Sequence, residues 1–222
     1  MTFAVIPACG RSRRMGRPKL ALPLAGQTVL EHVLTALRQA GVEQILVVVG
    51  PHVPELALIA EANGAHAYRL REETVDMRAT VEAGLNWLEQ RFHPQLEDDW
   101  LLVPGDHPTL DAAVVRQLQE ARQKYPERSI FVPTFQGRRG HPTLIGWKHV
   151  AGIRAHPPGE GLNTYLRRRM AEVYEVAVAS AAVLCDLDTP EDYERLRQKE
   201  LTTEAQRHRE DGREGGRRKE ER

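Results

Sequence analysis

Residues 45–49 read ILVVV and are cut off by Gly50 and Pro51. An aliphatic, mostly β-branched run with no polar alternation has to be buried on both faces, as strands are inside a parallel sheet. Phe3 to Ile6 and Leu101 to Val103 are shorter runs of the same kind, and the segments between them carry helical spacing. Val29, Leu30, Val33, Leu34 and Leu37 make one apolar face, Thr28 and Glu31 form a capping-box pattern, and Gly41 stands where the helix should stop; a helix over about 29–40 follows. A second helical pattern, about 54–63, stops at Gly64 and precedes a short strand over 65–70. Val81, Leu85 and Leu88 are spaced as a buried helix face, and Asp111 caps a helix over about 111–125 with Val114, Val115 and Leu118 turned inward. This alternation predicts an α/β fold, a single three-layer Rossmann-like domain with a mostly parallel central sheet. The second half predicts strands over 130–133, 143–147, 173–178 and 183–187, a helix over 162–170 and a closing helix opened by Pro190.

Composition limits what such a domain can do. Lys+Arg and Asp+Glu both number 31, so no basic excess points to nucleic acid, and an anionic ligand must be held by local charge. From about residue 202 the chain turns to Arg, Glu, Lys and Gly with almost no apolar residue; 1–201 is expected to be the folded domain and 202–222 a disordered tail. Cys9 and Cys185 belong to no CxxC or Cys/His cluster, which argues against a zinc site and for a reduced, cytoplasmic setting. No run approaches the roughly 18 apolar residues of a membrane span, and no basic segment with an apolar core opens the chain, so neither membrane insertion nor secretion is expected.

In sheets of this kind ligands sit at the carboxyl ends of strands. Two polar loops fall there. The first strand runs into IPACGRSRRMGRPK over 6–19, with two glycines, four arginines and a lysine. Bare amides and cationic side chains gathered at a strand end can cradle phosphate. The loop is not a P-loop, since Gly16 is followed by Arg17, Pro18 and Lys19, and the GxGxxG dinucleotide fingerprint is absent. The second loop, PGDHP over 104–108, adds an acidic turn that can face the same site.

The stretch IPACGRSRRMGRPKLALPLAGQTVLEHVL resembles the opening signature of the nucleotidyltransferases that act on the molybdenum cofactor. PGDHP is similar to that family's acidic GDxP turn, GRRGHPTLIG to its RGHP loop, and DLDTPEDY over 186–193 to its DxDTPED segment, in the same order along the chain. The resemblance spans about 1–200 and implies a fold of the nucleotide-diphospho-sugar transferase type. It also implies roles: backbone at Ala8, Cys9, Gly10 and Gly16 against the nucleotide, Arg14 on the β- and γ-phosphates, and Lys19 on the α-phosphate. Asp106 would be a Mg2+ ligand with Asp188 as its partner, while Asp186, on the same face of the expected strand, could join them or only orient Asp188. Thr80 stands where the family has a serine near base and ribose, and Asp76 replaces a glycine there. Arg139 and His141, with Arg138 beside them, are candidates for the acceptor; His141 and His107 need not act as bases, because a phosphate nucleophile is already anionic.

The implied function is a Mg2+-dependent transfer of CMP from CTP to the terminal phosphate of a molybdopterin-type cofactor, with a molybdoenzyme or its maturation chaperone as a possible partner. Cys9 fills a position that is alanine in the cytidylyltransferases and glycine in the guanylyltransferases, and its size favours CTP over GTP. A sugar 1-phosphate or another phosphorylated metabolite is the alternative acceptor, and a non-catalytic cofactor-delivery protein is the alternative of another class.

Overall fold

A computed structural model of the protein describes residues 1–198; the expected tail over 202–222 lies outside the described residues. The opening run forms β1 (Thr2–Ala8), and the basic loop leads through a short antiparallel pair, β2 (Pro23–Leu24) and β3 (Gln27–Thr28), into α1 (Val29–Gln39). Then come β4 (Gln44–Val49), α2 (Glu55–Ala62), β5 (His66–Arg69), α3 (Met77–Phe92), β6 (Asp99–Leu102) and α4 (Ala112–Lys124). The second half holds β7 (Ile130–Phe135), β8 (Arg138–Arg139), β9 (Thr143–Gly146), α5 (Val150–Arg154), α6 (Leu162–Arg167), β10 (Val173–Ala177) and a helix, α7, over 190–198. Among the described residues no helix is long and apolar enough to cross a membrane.

Local chemistry sets most of these boundaries. The Thr28 hydroxyl accepts from the Glu31 amide at 3.2 Å while the Glu31 carboxylate accepts from the Thr28 amide at 2.5 Å, the reciprocal box expected at the start of α1. Gly41 takes a φ of +80°, and the amides of Gly41 and Val42 turn back to the carbonyls of Arg38 and Leu37 to close that helix. Asp76 and Asp111 cap α3 and α4, their carboxylates accepting from the amides of Ala79 and Ala113.

β1 is the central strand, paired in parallel with β4 on one side and β6 on the other, so that Val5 lies opposite both Leu46 and Leu102. The full order is β10-β7-β9-β6-β1-β4-β5, with β8 folded onto β7. β9 runs antiparallel to β6 and β7, and the other neighbours along this order are parallel. Alternation along β1 divides the core. Ala4, Ile6 and Ala8 face α1, α2 and α4, whereas Phe3 and Val5 face α3, α5 and α6, which gives the expected three-layer α/β architecture. Helix α3 lies so close to the sheet that a Cβ on Gly84 would stand 2.7 Å from Val48 Cγ2 and 3.1 Å from Val5 Cγ1.

The clearest departure from expectation is at 183–187, read from its apolar residues as a strand. Ala181–Leu184 instead forms a 3₁₀ turn, and the residues after it cross the strand ends as a strap. Its polar backbone is satisfied by loops rather than by a ladder: the Val183 carbonyl accepts from the His141 amide at 2.9 Å, and the Leu187 amide donates to the Asp106 carbonyl at 3.0 Å. The expected helix over 162–170 likewise ends early, at Arg167, and the expected strand over 143–147 ends at Gly146, where a 3₁₀ turn over Trp147–His149 begins.

At the opposite end of the sheet from those loops lies a buried polar network. Ser129 Oγ is 2.8 Å from His149 Nε2 and donates to Glu172 at 3.0 Å, while His149 Nδ1 is 3.1 Å from the Tyr165 hydroxyl. Burial first, then the charges of Arg169 and Lys148, push the His149 imidazole down to about 4 against the pull of Glu172. Burial would raise the Glu172 carboxyl, but hydrogen bonds from Lys148, Arg169 and Ser129 outweigh it and hold the group at about 2. Both groups therefore bind fewer protons folded than unfolded below their ordinary values, and stability rises with pH across those windows.

Two outcomes are expected. Stability should fall by about 2 kcal/mol from pH 7 to pH 5 through His149 alone, and His149→Gln should flatten that part of the urea-denaturation profile; an equally steep profile in the variant would refute the assignment. Gly84→Ala should cost about 1–2 kcal/mol, since two stiff valines cannot yield and overpacking outweighs the roughly 1 kcal/mol gained in helix propensity. An unchanged denaturation midpoint would show that α3 is free to shift.

Candidate active site

The crossover through α1 carries the chain from β1 to β4 on one side, while β6 flanks β1 on the other. At such a switch point the loops leaving the two neighbouring strands diverge and open a crevice at their carboxyl ends. Here the crevice is a cleft of about 490 Å³, with Cys9, Gly10, Ser12 and Lys19 from the β1 loop and Gly105, Asp106 and His107 from the β6 loop in its walls. Thr74, Asp76, Met77 and Thr80 at the start of α3 form a further wall, and His141 and Asp186 come from the second half of the chain.

The basic loop is less open than its glycines suggest. Ser12 and Gly16 take φ values of +47° and +66°, and the amides of Met15 and Gly16 both donate to the Ser12 carbonyl, at 2.9 and 3.1 Å. Gly16 thus shapes the turn instead of lining the cleft. The Ser12 hydroxyl accepts from the Lys19 amide at 3.1 Å, and Arg11 is paired with Glu73 from the loop before α3. These contacts point the Lys19 side chain inward.

Its ammonium donates to Asp106 Oδ2 at 2.6 Å, to the Leu187 carbonyl at 2.8 Å and to Asp188 Oδ1 at 3.0 Å. Burial pulls Lys19 down, but Asp106 and then Asp188 outweigh it and raise the ammonium above the ordinary lysine value. The Lys19 hydrogen bond holds the Asp188 carboxyl below its usual range, with Arg14 adding to it through a contact of 3.1 Å to Oδ2. Arg14 is otherwise exposed. Asp188 is in turn fixed by the start of α7, where the Asp192 carboxylate accepts from the amides of Asp188 and Thr189.

Asp186 and Asp188 do not share a face, because the strand that would have aligned them does not form. Asp188 turns to Lys19, and Asp186 pairs with the buried His107. The His107 ring meets His141 edge-on with centroids 5.7 Å apart, and burial lowers the His141 imidazole. His141 is set in place by Gly140, where a Cβ would stand 2.2 Å from the Val183 carbonyl oxygen.

On the wall nearest α3, the Thr80 hydroxyl is 2.5 Å from that of Thr74 and is itself buried. Asp76 caps the helix and also lines the cleft. Cys9 donates through Sγ to the Val48 carbonyl at 3.4 Å, and burial raises its thiol. Ala8 closes β1 in the core behind it. Arg139 is held by Glu175 at 2.7 Å on β8, outside the walls of the cleft formed by the described residues.

The structure therefore brings Lys19, Asp106, Asp188 and Arg14 into one cluster, places Cys9, Gly10, Thr80 and His141 along the cleft, and leaves Arg139 apart. Sequence reading missed Ser12, Glu73, Thr74 and the Leu187 carbonyl. Ser12 could have been noticed beside its glycine, but Glu73 and Leu187 have only a tertiary signal.

A divalent cation can be tested against this geometry. Two carboxylates and one carbonyl oxygen converge on a single cationic nitrogen, and every donor is a hard oxygen. No group of three or more His, Cys, Asp or Glu side chains converges among the described residues, so a closed protein cage is not on offer. One or two carboxylates completed by phosphate oxygens and water is the usual arrangement for magnesium, and the residues fit it.

Comparison with known proteins agrees with this picture. Residues 4–176 match the MobA-like NTP transferase domain. The bifunctional protein GlmU of Syntrophomonas wolfei is 31% identical over 155 residues, covering 68% of this chain and 33% of that protein; the chain spans about a third of that relative's length. Molybdenum cofactor cytidylyltransferase of Escherichia coli K12 is 25% identical over 192 residues, covering 85% of this chain and 92% of the relative. The crystal structure of Rv0371c from Mycobacterium tuberculosis superposes with a TM-score of 0.75 at 27% identity, over 89% of this chain and 99% of that one. A complex of the same protein with manganese gives a TM-score of 0.71 at 25% identity, over 89% and 97%. With its family match running from the central strand through β10, and with that sheet carrying the loops just described, this chain belongs to the MobA-like NTP transferase domain family, a family of nucleotidyltransferase enzymes.

Proposed function

We propose that the protein transfers CMP from CTP to the terminal phosphate of a molybdopterin-type cofactor and releases pyrophosphate, with Mg2+ as its metal. The observation that carries the reading is the meeting of Lys19, Asp106 and Asp188 at the carboxyl ends of the two central strands. The likeness to a molybdenum cofactor cytidylyltransferase along nearly its whole length supports the choice of nucleotide and acceptor.

The residues divide the work by charge and position. The backbone at Cys9 and Gly10 and the Thr74–Thr80 pair border the nucleoside side of the cleft. Arg14 lies on an exposed loop from which its guanidinium can reach the outer phosphates. Lys19 stands between that loop and the acidic turn, where an ammonium can meet charge growing on the α-phosphate. Asp106 and Asp188 would hold magnesium, which when bound draws negative charge away from the phosphates. His107, His141 and Asp186 line the other side and border the acceptor. No residue has to act as a strong base, since the attacking phosphate is already an anion; the protein aligns the partners and neutralises charge.

Asp106→Asn should lower pyrophosphate release by about 10²-fold or more while leaving the thermal unfolding curve in place; near-full turnover at saturating nucleotide would sink the reading. Release should be faster with CTP than with GTP, and faster with a molybdopterin acceptor than with a sugar 1-phosphate. A reversed order in either panel reassigns that half of the reaction.

A further inference from the structure

An ammonium has three protons to donate. Lys19 uses three partners: Asp106, Leu187 and Asp188, at 2.6, 2.8 and 3.0 Å. Its side chain is only 16% exposed, and the three acceptors come from the β6 turn and the strap that crosses it. These acceptors are the same oxygens that suit a hard divalent cation. A second cation, Arg14, already leans on the remaining Asp188 oxygen. A metal approaching these two carboxylates therefore meets Asp106 Oδ2 and both Asp188 oxygens already engaged, and a positive charge that must leave. Among the described residues two carboxylates meet there, which gives the metal little with which to displace that charge unaided.

We infer that Lys19 is a resident counter-ion that holds the divalent-cation position in the ligand-free chain and leaves it only when a triphosphate offers new partners, so that metal and nucleotide bind cooperatively. This rests on the assignment of Asp106 and Asp188 to the metal under the proposed function. Charge couples the two ligands. Without Lys19 the two carboxylates would repel each other across the cleft; Lys19 halves their charge, and Arg14 on Asp188 completes the balance. A triphosphate supplies anionic oxygens both to the displaced ammonium and to the metal, so each ligand removes the cost of binding the other. Linkage makes the coupling reciprocal: nucleotide raises metal affinity by the same factor as metal raises nucleotide affinity.

The test uses the full chain and Mn2+ as a probe, with free Mn2+ read by electron paramagnetic resonance in the presence and absence of a non-hydrolysable CTP analogue. Wild-type protein should bind Mn2+ about tenfold more tightly or better with the analogue present. Lys19→Gln should bind Mn2+ alone about five- to tenfold more tightly than wild type, and the gain from the analogue should shrink. Lys19→Met serves if the glutamine variant does not fold, and Asp106→Asn should lose Mn2+ in both conditions. Equal or weaker Mn2+ binding by the Lys19 variants, or wild-type affinity indifferent to nucleotide, overturns the inference. The readout is independent of turnover: if no acceptor yields pyrophosphate but the Mn2+ pattern holds, the proposed reaction fails and the counter-ion role stands.

Discussion

The parallel pairing of β1 with both of its neighbours is the constraint on which the rest of the molecule depends. Because β4 and β6 take opposite sides of β1, the chain cannot cover the carboxyl ends of both with one crossover, and the crevice between them stays open. A strand hydrogen-bonded on both edges and packed on both faces has no tolerance for polar side chains, which accounts for the unbroken apolar run from Phe3 to Ile6. Its polar residues must wait until the strand ends, and that is where the site begins.

Around this opening the structure solves an electrostatic problem. Two carboxylates from distant segments, Asp106 and Asp188, are brought together beside the cleft, where their like charges need a cation between them. Lys19 makes them compatible by donating to both, and the strap over 185–188 contributes a carbonyl to the same ammonium. The strap is held in turn by the acidic turn and by the RGHP loop, so the site and the packing of the chain's second half depend on each other. Charge also organises the far end of the sheet. There Glu172 is held ionised beside a neutral His149 and anchors the approach to β10 without facing the cleft.

Helix boundaries were legible because they are local. Thr28 and Glu31, Gly41 and Asp111 act within a few residues of themselves, and each does in the fold what its type and spacing imply. The segment over 183–187 was misread for the opposite reason: its apolar residues pack inward in a strap as they would in a strand, and only the destination of its backbone hydrogen bonds separates the two. That error carried over to Asp186 and Asp188, whose shared face vanished with the strand. Arg139 was grouped with His141 from the same loop, yet β8 turns it toward Glu175 while His141 lines the cleft.

The sequence by itself determined the fold class, the order of the main strands and helices from β1 to α4, and the two loops that would carry charge. Burial periodicity and capping are written in near neighbours, and a family resemblance along nearly the whole domain pointed the same way. Only the tertiary structure decided which charges meet. Lys19 is separated from Asp188 by most of the chain, and nothing in the local pattern of either says that one ammonium will join Asp106 to Asp188. That pairing arises when sheet topology brings strand ends together, and a one-dimensional pattern carries no distance between such ends.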